Sequence, residues 1–190
     1  MRKERVGFAL CGSFCTHEAV LRALKTMTET YETVIPIVSQ TAASTDTRFG
    51  TALQLMEQLR QLTGREPITT IEGAEPIGPK ALLDVLVIAP ATGNTIGKLA
   101  NGIADTAVTM AAKSLLRNGR PVVLAVSTND GLAGSAKNIG ELLARKNYFF
   151  VPFGQDDPEK KPTSLVADFA RLNETVDAAL QGRQIQPVLK

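Results

Sequence analysis

The chain has no tryptophan, one histidine and two cysteines in 190 residues, and neither sign of charge prevails. Cys11 and Cys15 form a C-x3-C pair, which supports no disulfide framework and fits a reducing compartment. With a single histidine in the chain they lack the further ligands that zinc needs, so no metal is expected and both read as small packing residues. Lysine and arginine number 21 against 19 acids and are scattered, leaving no electrostatic footprint for nucleic acid or an anionic membrane. Long apolar runs are also missing. The stretch that follows Arg2, Lys3 and Arg5 is about six residues long before Gly12-Ser13, too short for a signal peptide or a membrane span, so a cytoplasmic protein is expected.

What is present is a set of short apolar runs alternating with helical patterns. Strands are expected at Val6–Cys11, Thr33–Val38, Asp84–Ala89, Pro121–Val126 and Tyr148–Pro152, with a weaker one at Ile68–Ile71. Helices are expected at Glu18–Thr30, Thr47–Thr63, Thr92–Asn101, Ala104–Asn118, Ser135–Lys146 and Leu165–Leu180, with one turn at Lys80–Leu83. Asp105 reads as an N-cap, and the glycines and prolines of Gly73–Pro79 argue against regular structure. Gln155–Pro162 reads as a solvated, charged excursion or a lid. Strands that are apolar throughout and separated by helices imply a parallel sheet covered on both faces. The expectation is one α/β domain over residues 1–182, three-layered and Rossmann-like or flavodoxin-like, with six parallel strands and a mobile tail at 183–190.

Ligands of such sheets bind beyond the carboxyl ends of the strands. Four loops there are rich in Ser, Thr, Asn and Gly: Gly12–His17, Ser39–Ser44, Pro90–Thr95 and Ser127–Gly131. These groups hydrogen-bond phosphate without bringing charge, and helix N-termini add free N–H donors. Each loop alone also reads as ordinary caps and turns. Neither G-x-G-x-x-G nor a Walker A motif is present, so a mononucleotide or flavin mononucleotide fits better than NAD or ATP. His17 falls in the first turn of the first helix, where it is a proton-shuttle candidate or a plain polar residue. Arg48 is a candidate carboxylate clamp, an ion-pair partner of Asp46 or a solvated residue.

The block Pro90-Ala91-Thr92-Gly93-Asn94-Thr95, continued by Lys98, Ala100, Gly102 and Asp105, resembles the signature of the homo-oligomeric flavin-containing cysteine decarboxylase superfamily. That resemblance implies bound FMN and a Rossmann-like six-stranded fold. The decarboxylase clamp of proline, asparagine and methionines is not matched at Val126–Leu132, and no histidine stands at the start of the second helix. AEPIGPK at 74–80, STND at 127–130 and the QDDP block at 155–158 are similar instead to the family of dipicolinate synthase B subunits.

Membership implies an FMN flavoprotein that, with an A subunit, oxidises a dihydrodipicolinate-type intermediate during sporulation, in the mother cell. By resemblance, Gly12, Ser13 and Ser39 hold phosphate. Pro90, Thr92, Gly93, Asn94 and Thr95 hold phosphate and ribityl, and Ser127, Thr128 and Asn129 the ring edge. The dicarboxylate substrate needs cations. Arg48 is the first candidate, with Lys98 and Lys137 behind it, while His17 or Asp130 takes the proton. A trimer or dodecamer is implied. The alternatives are a flavin-dependent decarboxylase of another substrate and a non-catalytic partner that stabilises the A subunit. Gly93 replaces an alanine of the signature and is expected to leave room beside the ligand.

Overall fold

A computed structural model describes residues 1–190. Five strands run parallel: β1 (Arg2–Leu10), β2 (Tyr31–Val38), β3 (Val85–Ala91), β4 (Val122–Thr128) and β5 (Tyr148–Phe150). β1 pairs with β2 and β3, β3 with β4, and β4 with β5. β3 is central and buried at every position, which is why its sequence is apolar throughout rather than alternating.

The sheet has seven strands, not the six parallel ones expected. β6 (Phe153–Gly154) and β7 (Leu165–Ala167) form an antiparallel pair, and β7 adds to the end of β4 through Ser127↔Val166 and Thr128↔Leu165. The cause is a length mismatch. β5 covers only Val122, Val123 and Leu124, so the backbone of Ser127 and Thr128 needs another partner. Leu165–Leu180 is therefore a strand followed by a helix, not one helix.

The helices are α1 (His17–Thr30), α2 (Gln40–Ser44), α3 (Ala52–Thr63), α4 (Ile71–Ala74), α5 (Gly93–Ala100), α6 (Ala107–Arg117), α7 (Ala136–Leu143) and α8 (Leu172–Leu180). α1 and α8 pack together over one face, and α4, α5, α6 and α7 form a second contiguous layer. α1 buries Val20, Leu24 and Met27, one stripe at helical spacing.

Several boundaries differ from expectation, each for a local reason. α3 begins five residues late because Thr51 and Gln54 close a capping box, while Thr47 and Gly50 pair in a tight turn with Gly50 at φ 140°. Thr70 caps α4 through the Gly73 N–H, so Ile71–Ile77 is helical despite its glycine and proline; Ile68 keeps only an isolated bridge to Ile37. Thr106, not Asp105, caps α6, and Asp105 pairs with Lys98 at 2.8 Å. Lys80–Leu83 is a turn without helix.

The segment expected as a mobile tail is placed against the sheet. Gln184 exchanges two hydrogen bonds of 2.7 Å with the Phe150 backbone, and Phe153 N–H donates to Val188 at 3.0 Å. No helix is long and apolar enough to cross a membrane.

Candidate functional site

The strand order β2-β1-β3-β4 reverses direction at β1 and β3, so the crevice beyond their carboxyl ends is the topological switch point. Sequence order brings Gly12–His17 and Thr92–Thr95 to that point. Thr95 Oγ1 joins the two loops by donating to Cys11 Sγ at 3.3 Å, and Thr92 caps α5 by accepting from Thr95 N–H at 3.3 Å. The Ser13 and Ser127 hydroxyls meet at 2.7 Å, linking the ends of β1 and β4. Ser39 caps α2 through Ala42 N–H at 3.3 Å and donates its own N–H to Leu10 at 2.9 Å. The result is a rim of hydroxyls, an amide and helix-start N–H groups, with no charged side chain among Gly12, Ser13, Ser39, Thr92, Asn94 and Thr95.

The largest groove, about 780 Å3, runs beside this rim rather than into it. Phe14, Cys15 and His17 line one side, and the segment from Thr45 to Leu55 lines much of the other. Phe49 and Leu53, which the sequence did not single out, are 54% and 76% exposed on its wall. We place the binding chemistry at the rim, because the groove contributes mainly apolar surface and meets the polar loops only through Phe14–His17. A polar rim beside an apolar wall suits a ligand with a polar chain and a flat ring.

The titratable groups divide clearly. His17 Nε2 lies 2.8 Å from the Cys11 carbonyl. A carbonyl only accepts, so Nε2 carries the proton and Nδ1 keeps the free lone pair. Burial pushes the His17 pKa down, partly offset by that carbonyl, so the ring is neutral near neutral pH. Cys11 is buried and its thiol is pushed up to about 11 by burial. Cys15 is not the packing residue expected: it is exposed at the groove. Asp130 Oδ1 accepts from Thr128 Oγ1 at 2.5 Å and from Ser135 Oγ at 2.9 Å, and the Thr128 hydroxyl foremost holds its carboxyl below the usual range.

The candidate cations do not converge. Arg48 is exposed on the turn before α3, its guanidinium 4.8 Å from the Phe49 ring centre, and Asp46 accepts from Ala52 N–H instead of pairing with it. Lys98 is committed to Asp105, and Lys137 lies exposed on α7. The Asn129 carbonyl accepts from Thr163 Oγ1 at 2.7 Å, which ties the charged excursion to the β4 loop. Ser135, also missed, carries no sequence signal beyond its place before α7.

The flavoprotein family profile matches residues 1–171. The B subunit of dipicolinate synthase from Bacillus subtilis (strain 168) is 48% identical over 189 residues, covering 100% of this chain and 94% of the relative. The chain belongs to the flavoprotein family, in the branch of those B subunits. The crystal structure of the dipicolinate synthase B subunit from Bacillus halodurans C superposes with a TM-score of 0.90 at 47% identity, covering 98% of this chain and 96% of that one. The FMN-dependent cysteine decarboxylase SpaF, at 24% identity and a TM-score of 0.70 over 93% of this chain and 97% of its own, shares the fold.

Proposed function

We propose that the chain binds FMN at this edge and, with an A subunit of its own, oxidises a dihydrodipicolinate-type intermediate to pyridine-2,6-dicarboxylate during sporulation. The observation that carries this reading is full-length 48% identity to one of the two chains of a dipicolinate synthase, joined to an uncharged donor rim beside an apolar wall. The residues fit the cofactor in kind. Gly12, Ser13 and Ser39 offer hydroxyl and N–H donors for phosphate, Thr92, Asn94 and Thr95 face the ribityl chain, and Ser127, Thr128 and Asn129 the ring edge. Bound FMN supplies a two-electron acceptor for the hydride released on aromatisation.

The chain's own residues do the rest. His17 receives the proton at Nδ1, which its bond to the Cys11 carbonyl leaves free. The groove wall of Phe14, Phe49 and Leu53 shields the reacting ring from water. Arg48, unpaired with any acid, swings from Phe49 to a substrate carboxylate. Assembly as a trimer or dodecamer closes the edge from outside.

Absorbance during FMN titration of the purified chain tests the cofactor: saturable uptake supports the reading, and a colourless protein that takes up no FMN overturns it. Turnover of dihydrodipicolinate with the A subunit alone, then with both, separates a catalyst from a scaffold.

A further inference from the structure

The β4–α7 loop holds a charged cluster that hydride and proton transfer as proposed do not use. Asp130, Thr128 and Ser135 close on one another and stand against the first residue of α5. A Cβ on Gly93 would lie 2.6 Å from Ser135 Oγ and 2.8 Å from both Asp130 Oδ1 and Thr128 Oγ1. Real side chains do not approach so closely, so the cluster can assemble only where position 93 has no side chain. The room left by Gly93, expected beside the ligand, is filled by the protein itself. At the start of α5 only Thr95 N–H has a side-chain acceptor, Thr92 Oγ1; those of Gly93 and Asn94 have none. Such a helix start attracts anions, and a carboxylate already stands beside it.

We propose that Asp130 is the resident anion of the α5 start, a positioning residue that orients the Thr128 and Ser135 hydroxyls and keeps ligand phosphate or carboxylate off that helix end. Gly93 is the residue that admits it. Thr92 and Asn94 are thereby left to uncharged hydroxyls, and the anionic end of the ligand is directed to Gly12, Ser13 and Ser39. The inference rests on the flavin reading only for the identity of that ligand. Asp130 is correspondingly a weak base, since two hydroxyl donors stabilise its charged form.

Calorimetric titration of sulfate into the full-length chain tests this without flavin. Asp130→Asn keeps the shape and removes the charge, and sulfate affinity is expected to rise about tenfold, as for losing a like charge a few ångströms away in a half-solvated site. Asp130→Glu retains the charge and is expected to stay within about threefold of the parent. Unchanged or weaker sulfate binding in Asp130→Asn overturns the proposal, as does an equal rise in Asp130→Glu. As a check independent of that variant's folding, Gly93→Ala should lower the melting temperature less in an Asp130→Ala background than in the parent; equal losses overturn the contact. A chain that binds no FMN yet shows these sulfate shifts would sink the flavin reading and leave this one standing.

Discussion

The loops after β1 and β2 reach the ligand edge with Gly12, Ser13 and Ser39, whereas the loop after β4 reaches it with Thr128, Asp130 and Ser135. Both are hydroxyl-rich and read alike in sequence. In the first the serines cap a helix or bond one another, and no acid is bonded to them. In the second, two hydroxyls are spent on a carboxylate, which presses on Gly93. Hydroxyl content therefore does not identify an anion site. What matters is whether the protein has already supplied the anion.

The largest test of that contrast is to put an acid into the neutral half. Ser13→Asp places a carboxylate where the Ser127 hydroxyl now sits at 2.7 Å, and FMN affinity by fluorescence quenching is expected to fall about 100-fold or more. A loss no greater than that of Ser13→Ala would break the comparison. Next comes crowding of the charged half: Gly93→Ala forces three oxygens apart at a cost of about 2 kcal/mol, seen as a melting temperature about 5 °C lower.

A smaller effect concerns His17. Its folded pKa lies below the ordinary value of 6.5, so the unfolded chain binds the proton more readily. The stability tied to the neutral ring is full above 6.5 and is lost as pH falls from there toward the folded value. Denaturant midpoints measured across that window should fall less steeply with acid in His17→Gln. The thiols sharpen the contrast between rim and core. Disulfide-exchange reagents should modify Cys15 rapidly and Cys11 only on unfolding, and saturating FMN should slow the Cys15 reaction. The smallest effect is expected at Lys98, whose partly exposed pair with Asp105 is worth less than about 1 kcal/mol and whose loss should leave FMN affinity unchanged.

The parallel core was legible in the sequence because burial on both faces writes continuous apolar runs, as in Val85–Ala89. The β6–β7 hairpin was not, since Leu165, Val166 and Phe169 also fit the apolar side of the helix that follows. Thr106 and Asp105 are both good caps, and only the bond to Thr109 N–H decides between them. At the ligand edge, loop position located Ser13, Thr92 and Ser127 because strand ends dictate it. The meeting of Gly93 with Asp130 and Ser135 was hidden. Those residues lie about 40 positions apart, and their contact depends on how α5 and α7 pack.

The divided edge of β4 has a further consequence. Its first half is completed by β5 and its last two residues by β7, so the edge at Ser127 is closed only when residues near 165 have been made. A chain halted or cleaved inside 155–162 would present unpaired backbone beside the ligand crevice, a ready template for strand addition between molecules. Proteolysis of that loop is therefore expected to make the protein self-associate through its ligand end.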